Sequence, residues 1–381
     1  MLEHRLMLNG QEVGFTSGQT ILEAAQAGGI HISTLCHYPQ AHSGGVCGVC
    51  VVQDADSGEL LRSCVTQAQA EMNLLTDSPA VRSARQAAIK DLLLSGDHNC
   101  LVMDLPLEYW TGQQLRIMQK PWHGDICPSY GDCRLQDLAI KYGVSLSDAA
   151  PRVLDLPPED AQPLDDGQPM IVRDFSRCIQ CGRCVAACNQ VQVNQAIPDQ
   201  GAPANEHQLG WYPLADYDKC THCGECVQAC PVGALFEKKA FSQLHGHEAE
   251  LVRTTCPYCG VGCQLWLHVK DQKVVKVTGV EGAQPNQGRL CVKGRFGYDF
   301  IYSEERLTTP LIREGEGFRE ASWDEALDLV ANKFLEIKQK HGPDAIAGVS
   351  CARSTNEDSY QMQKLFRAVI GTNNIDHCAR T

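Results

Sequence analysis

The chain has no excess of positive charge, no long apolar run and no leader-like start, and each absence closes off a class of function. It carries 46 acidic against 33 basic side chains, a formal net charge of -13. The phosphates of a nucleic acid would be repelled, and the charge reads as ordinary acidic solubility. No stretch approaches the roughly 18 consecutive apolar residues of a membrane span, which argues against direct membrane insertion. The opening MLEHRLMLNGQEV contains neither the apolar segment of a secretory leader nor twin arginines. A reducing, cytoplasmic setting is expected. What the 381 residues hold in abundance is cysteine, 21 in all, and nearly every one falls into a metal-ligand spacing. Disulfides, the usual reason for such a count in a small secreted protein, are therefore not expected.

The densest stretch runs from Cys178 to Cys230. It contains C-I-Q-C-G-R-C-V-A-A-C and then C-T-H-C-G-E-C-V-Q-A-C-P, two C-x2-C-x2-C-x3-C runs whose rhythm suits cubane clusters held by four thiolates. A zinc ribbon is the alternative, but zinc sites favour isolated C-x2-C pairs. In two-cluster ferredoxins, which these runs resemble, the fourth Cys of each run serves the other cluster. That rule groups Cys178, Cys181, Cys184 and Cys230 at one [4Fe-4S] site, and Cys220, Cys223, Cys226 and Cys188 at a second. The first run has Asn189 where the second has Pro231.

Residues 1–78 open with a strand pair, Leu6 to Phe15 turning at Asn9-Gly10, and a helical stretch from Thr20 to Ala27 that stops at Gly28-Gly29. Cys36, Cys47, Cys50 and Cys64 follow as C-x10-C-x2-C-x13-C. Gly44, Gly45 and Gly48 lie among them, and positive φ there would bring backbone N–H groups toward sulfur. This spacing resembles the [2Fe-2S] β-grasp domain at the front of the large iron-sulfur subunit of respiratory complex I and its relatives. Zinc is the alternative occupant.

Residues 79–150 begin with a helix, Ala80 to Leu94. That same family places a [4Fe-4S] site held by one His and three Cys next, as H-x3-C-x2-C-x5-C-x-L-Q. Cys127, Cys133 and the following Arg134-Leu135-Gln136 resemble its ending. The beginning departs from it: one residue separates His98 from Cys100, and 26 separate Cys100 from Cys127. Loop-closure entropy grows only logarithmically with length, so such an insertion is compatible with the site. His98 is the expected fourth ligand, and His123, spaced H-x3-C before Cys127, is its rival. Residues 151–170, rich in proline and acid, read as a linker. The two-cluster ferredoxin domain spans 171–245, with an insert at about 190–215.

From 250 to 305, Cys256, Cys259, Cys263 and Cys291 read C-x2-C-x3-C-x27-C, with strands Leu265 to Val269 and Val274 to Val277 between the third and fourth. Four thiolates in a small β domain suit another [4Fe-4S] cluster, again with zinc as the alternative. The surrounding Gly288-Arg289-Leu290-Cys291-Val292-Lys293-Gly294-Arg295 resembles the first domain of the molybdopterin oxidoreductases. In that family the Lys two positions after the last Cys, here Lys293, stands between cluster and pterin. The resemblance makes it part of the electron path and a cofactor contact.

Residues 306–381 start an α/β unit. Ser322-Trp323-Asp324-Glu325 reads as a capping box opening a helix that Gly342-Pro343 closes. A buried strand, Ala345 to Ser350, comes next. Ser354-Thr355-Asn356-Glu357 then caps a helix running to Gly371, and strand, polar turn and helix N-terminus is an arrangement that binds dinucleotide phosphates, with Ser354 and Asn356 as candidate contacts. Cys351 to Glu357 and Asn373 to Thr381 resemble the catalytic subunit of formate dehydrogenases. In that family the second segment runs directly into the metal-ligating selenocysteine or cysteine, so the metal ligand is expected immediately beyond Thr381, at a UGA codon. Cys351 and Cys378 stand outside every cluster set and read as structural thiols.

The expectation is an α+β multidomain protein carrying one [2Fe-2S] and four [4Fe-4S] clusters. As the resemblance implies, it is the iron-sulfur portion of a formate dehydrogenase, an oxidoreductase using a molybdenum or tungsten bis-molybdopterin guanine dinucleotide. Its expected partners are a flavin-containing NAD(P)-reducing subunit or hydrogenase subunits. A non-catalytic electron-transfer subunit of a complex I-like or hydrogenase complex is the alternative. Against it, a single strand and two helices of an α/β layer cannot bury their own apolar faces.

Overall fold

Alternation builds the first sheet. Leu6 and Leu8 of β1 (His4–Leu8) and Val13 and Phe15 of β2 (Gln11–Phe15) are buried, and the residues between them face out. The hairpin turns at Asn9 and Gly10, both at positive φ, which matches the twist of paired antiparallel strands. The computed structural model describes residues 4–39, 41, 45–95, 98, 129, 132–144, 170–173, 177–197, 216, 218–240 and 249–378. These fall into two units, 1–249 and 250–381.

In the first unit, α1 (Ile21–Ala27) begins at Thr20, whose side chain and that of Glu23 cap each other's backbone N–H. It lays Ile21, Leu22, Ala24 and Ala25 on the sheet, against Val52 and Leu74. β3 (Val51–Asp54), β4 (Leu60–Arg62) and β5 (Asn73–Leu75) complete a mixed sheet in the order β2-β1-β5-β3-β4, with β1 and β5 parallel. This is the hairpin, helix and mixed sheet expected of a β-grasp domain. α2 (Pro79–Leu94) starts at its N-cap Ser78 and buries Val81, Arg85, Ile89, Leu92 and Leu93 along one stripe. α3 (Arg134–Tyr142) packs against it and stops at Gly143, where the Val144 and Gly143 N–H groups turn back to Ala139 and Ile140.

The cysteine-rich part of this unit is framed by β6 (Ile171–Arg173) paired antiparallel with β7 (Leu235–Glu237). Two short helices, α4 (Arg183–Ala186) and α5 (Glu225–Ala229), follow Gly182 and Gly224, both at φ 73°. A π-helical turn, Ala187–Val191, extends α4. The linker 151–169, residues 198–215 of the insert, Gly44, Cys100, His123 and Cys127 lie outside the described residues.

The second unit opens with a three-stranded antiparallel sheet, order β10-β9-β8, from β8 (Glu250–Thr255), β9 (Gln264–Lys270) and β10 (Lys273–Gly279). The short helix α6 (Val292–Phe296) packs against β10, and β11 (Leu311–Glu314) forms a hairpin with β12 (Gly317–Glu320). α7 (Trp323–His341), β13 (Gly348–Ser350), α8 (Asn356–Lys364) with a π-helical continuation to Ile370, and β14 (Ile375–His377) form the α/β part, with β13 and β14 parallel. Three details differ from the sequence expectation. Ser322 accepts the Glu325 N–H, but the Glu325 carboxylate pairs with Arg319 rather than closing the box. Thr355, not Ser354, is the N-cap of α8, in a reciprocal box with Asp358. The strand is shorter than expected and open to solvent, with Val349 77% exposed, because only β14 pairs with it among the described residues.

Candidate metal centres

The first cysteine set meets at one end of the mixed sheet. Cys36, Cys47 and Cys50 are buried, and Cys64 is half-buried with its sulfur 3.2 Å from that of Cys50. Gly45 and Gly48 both take positive φ, as a loop wrapped tightly around a cluster requires. Backbone N–H groups of Gly45, Val46 and Cys47 favour a Cys36 thiolate, and that of Gly45 also favours a Cys64 thiolate. Within each pair one sulfur holds the shared proton. A hydrogen bond with Cys47 lowers Cys36 to about 6 and one with Cys64 lowers Cys50 to about 7, while Cys47 and Cys64 are pushed up. Ser63, fully buried, donates to the Cys50 carbonyl at 2.7 Å.

Helix α2 holds this loop from behind. Arg85 donates from Nε to the Val49 carbonyl at 3.0 Å and from an Nη to the Val51 carbonyl at 2.7 Å, flanking Cys50, and its other Nη reaches the Tyr142 hydroxyl at 2.9 Å. No motif points to Arg85. The signal that could have found it is a charged residue inside the apolar stripe of a helix. Of the expected mixed His and Cys site, His98 and Cys133 are both buried. Cys133 is the N-cap of α3, and its thiol faces the Pro231 carbonyl at 3.8 Å, next to Cys230.

Cys178, Cys181, Cys184 and Cys230 line one cavity, together with Ile179, Val232, Ala234 and Leu235. Cys230 thus stands with the first run. Cys226 is influenced by Cys223, Cys188 and Cys220, and Cys188 packs in one apolar cluster with Cys220 and Cys226. Cys188 therefore stands with the second run, while Cys184 of the first run also packs beside the second group. Burial pushes Cys178 and Cys226 to about 12 and raises Cys181, Cys184 and Cys230 as well. Backbone N–H groups offset part of this: that of Gln180 meets the Cys178 sulfur at 3.4 Å, and those of Val232, Ala234 and Leu235 favour a Cys230 thiolate. Among the described residues no three His, Cys, Asp or Glu side chains are arranged to hold a single metal ion. Four thiols ringing a cavity with inward N–H groups fit a cluster. Asn189, in the place of the second run's Pro231, donates to the Ile197 carbonyl at 2.7 Å and closes the loop after Cys188.

In the second unit Cys256 is buried, Cys259 and Cys263 are half-buried and Cys291 is exposed. Cys256 and Cys263 are raised first by desolvation and then by the neighbouring thiols of this set, so all four stand close together. Asn286 ties the loop before Cys291 to β9, accepting the Gln264 N–H at 2.8 Å and donating to the Gln264 and Arg289 carbonyls. Lys293 lies one turn on in α6. Its ammonium is 5.8 Å from the centre of the Tyr258 ring, and its charge favours a Cys256 thiolate. Tyr258 donates to the Gly297 carbonyl.

The start of α8 reaches this same site. A Cβ at Gly260, the residue after Cys259, would lie 2.8 Å from Asn356 Oδ1 and 3.7 Å from the Ser354 carbonyl. The polar turn and the cysteine loop are therefore neighbours, which spacing in the sequence does not show. Ser354 donates to the Cys351 carbonyl at 2.7 Å and is 3.1 Å from the Ser359 hydroxyl. Cys351 and Cys378, on the ends of β13 and β14, are exposed and face each other with sulfurs 3.6 Å apart.

Comparison with known proteins gives these segments their families. Residues 3–79 match the 2Fe-2S iron-sulfur cluster binding domain, and 177–234 and 212–265 match 4Fe-4S dicluster domains. Residues 249–303 match the molybdopterin oxidoreductase Fe4S4 domain, and 306–381 match molybdopterin oxidoreductase. "Probable oxidoreductase YjgC" and "Putative formate dehydrogenase YrhE" of Bacillus subtilis are 31% and 30% identical over 98% of this chain. "Putative formate dehydrogenase SAUSA300_2258" of Staphylococcus aureus is 30% identical over all of it. The chain spans 39% of the length of each of these relatives. An NAD+-reducing [NiFe]-hydrogenase crystal structure is similar over 64% of this chain and 90% of that one, at 28% identity and a TM-score of 0.45. Carrying a 2Fe-2S domain, 4Fe-4S dicluster domains and both molybdopterin oxidoreductase segments in one order along the sequence, the chain belongs to the molybdopterin oxidoreductase family.

Proposed function

We propose that the chain is the electron-transfer portion of a cytoplasmic formate dehydrogenase subunit. In it Cys36, Cys47, Cys50 and Cys64 hold a [2Fe-2S] cluster, and the two crossed ferredoxin sets and the Cys256, Cys259, Cys263 and Cys291 set each hold a [4Fe-4S] cluster. Cys100, Cys127 and Cys133 with His98 hold a fourth [4Fe-4S] cluster, His123 being the other candidate for the histidine. The observation that carries the reading is the contact of the α8 start with the Cys259 loop at Gly260, close to Lys293. It brings a polar helix N-terminus suited to dinucleotide phosphate beside four thiols suited to a cluster.

A molybdenum or tungsten centre between two pterin guanine dinucleotides would take the electron pair as formate becomes carbon dioxide and a proton, and iron-sulfur clusters would pass those electrons on singly. The chain's own residues bind and tune. Ser354, Asn356 and the N–H groups opening α8 would meet a phosphate of the dinucleotide. The Lys293 cation would stabilise negative charge passing between pterin and the Cys256 site. Apolar walls such as Ile179, Val232 and Leu235 exclude water from the Cys178 site, and N–H groups aimed at sulfur set its potential. The front domain would dock onto a flavin-containing NAD(P)-reducing subunit or onto hydrogenase subunits.

The test uses the subunit at the length of its relatives, purified without oxygen. Formate should bleach the visible absorbance of the clusters and produce their reduced paramagnetic signals, and Lys293→Met should slow this at least tenfold while leaving iron content unchanged. Clusters that dithionite reduces but formate does not would instead favour a non-catalytic electron-transfer subunit.

A further inference from the structure

Arg183 stands between two cysteines of the first ferredoxin run, where a basic residue would ordinarily be solvated. It is only 2% exposed. One Nη donates to both the Leu35 carbonyl at 3.1 Å and the His37 carbonyl at 3.0 Å, the two carbonyls flanking Cys36. The guanidinium also lies 5.1 Å from the centre of the Tyr38 ring, and the Tyr38 hydroxyl donates to buried Glu225 at 3.0 Å. None of these direct partners is a carboxylate. The Nε–H, equally buried, has no hydrogen-bond partner among the described residues. A buried cation without an anion and a buried donor without an acceptor are each costly, and both costs vanish beside an anion that accepts hydrogen bonds. Cysteine sulfurs of the adjoining site are among the groups that act on it, alongside Arg134 and Tyr38. The Arg183 charge favours thiolates at Cys181 and Cys230, and they in turn favour its cation.

We infer that Arg183 is a positioning residue with two tasks: its Nε–H donates to sulfur at the Cys178, Cys181, Cys184 and Cys230 site, and its Nη clamps the Cys36 loop against that site. This rests on the reading of those four cysteines as [4Fe-4S] ligands. A cluster held by four thiolates carries net negative charge and gains one more on reduction. A buried cation donating to its sulfur therefore stabilises the reduced state and raises the potential. The clamp links this to the neighbouring site, since Cys178, Cys181 and Cys230 pack against the same buried core that contains Cys36 and Cys47. Arg183 thus makes the first ferredoxin site an electron acceptor and holds the [2Fe-2S] loop in place next to it.

The experiment is a potentiometric titration of the oxygen-free full-length subunit, read by electron paramagnetic resonance, for the wild type, Arg183→Gln and Arg183→Lys. In Arg183→Gln one [4Fe-4S] signal should titrate at a more negative potential, with iron content kept and the other [4Fe-4S] signals unmoved. Arg183→Lys keeps the charge but loses the planar fork, so its shift should be smaller and in the same direction. If Arg183→Gln fails to assemble, the Lys variant carries the test. Unshifted potentials in a fully loaded Gln or Lys variant would overturn the inference. Failure of the underlying ligand reading looks different: the wild type would lack signals for two ferredoxin clusters, and the inference would fall with it.

Discussion

At the residue scale, buried arginines do what the cysteine motifs alone cannot. Arg85 satisfies two carbonyls of the loop that carries Cys47 and Cys50, and its charge also meets the Tyr142 hydroxyl and ring and is felt by the Asp77 carboxylate. Arg85→Ala strands both carbonyls in a dry interior and should cost about 2–4 kcal/mol. The loss should appear first as bleaching of the [2Fe-2S] absorbance on warming, with the other clusters intact. The cysteines make a second prediction. In each pair of the front site one sulfur ionises low, at about 6 for Cys36 and about 7 for Cys50, because it shares a hydrogen bond with its partner, and the partner keeps its proton. Adding a thiophilic metal to protein prepared without metal should therefore release about two protons from this site at pH 8, and about four at pH 5. Affinity should rise with pH most steeply below 6, and a pH-independent proton release would contradict the pairing.

At the element scale, the sequence was legible where a local rule decides the outcome. The Asn9-Gly10 turn, the helix opening at Thr20, the end of α2 at Leu94 and the strands β9 and β10 all answer to neighbours within a few residues, and all stand close to their expected places. Other features depended on distant partners. Glu325 fails to close its box because Arg319, on β12, takes its carboxylate. β8 carries no alternation that would mark it as a strand, since every residue of it is exposed. The approach of Gly260 to Asn356 joins residues nearly a hundred positions apart. The glycine loop of the front site can be tested at this scale. A Cβ at Gly45, φ 85°, would meet Val65 Cγ1 at 2.9 Å. Gly45→Ala should cost about 1–3 kcal/mol and displace N–H groups aimed at Cys36 and Cys64. Its [2Fe-2S] signal should be lost selectively, as seen by electron paramagnetic resonance, and an unchanged signal with unchanged thermal stability would contradict it.

At the scale of the whole molecule, the two units differ in how completely they bury their apolar residues. In the first, the ligand loops share continuous cores with α2, α3 and the mixed sheet. In the second, Leu327, Val330, Leu335, Val349 and Val369 of the α/β part are exposed, as expected of two strands and their helices without the rest of a sheet. That fits a chain spanning 39% of its relatives' length. No described helix is long and apolar enough to cross a membrane. The central claim is that the cysteine sets hold iron-sulfur clusters, and metal analysis combined with electron paramagnetic resonance of the oxygen-free protein tests it most directly. About five clusters and roughly 18 iron per chain are expected, with one [2Fe-2S] and four [4Fe-4S] signals on reduction. Stoichiometric zinc in a colourless, signal-free protein would contradict it.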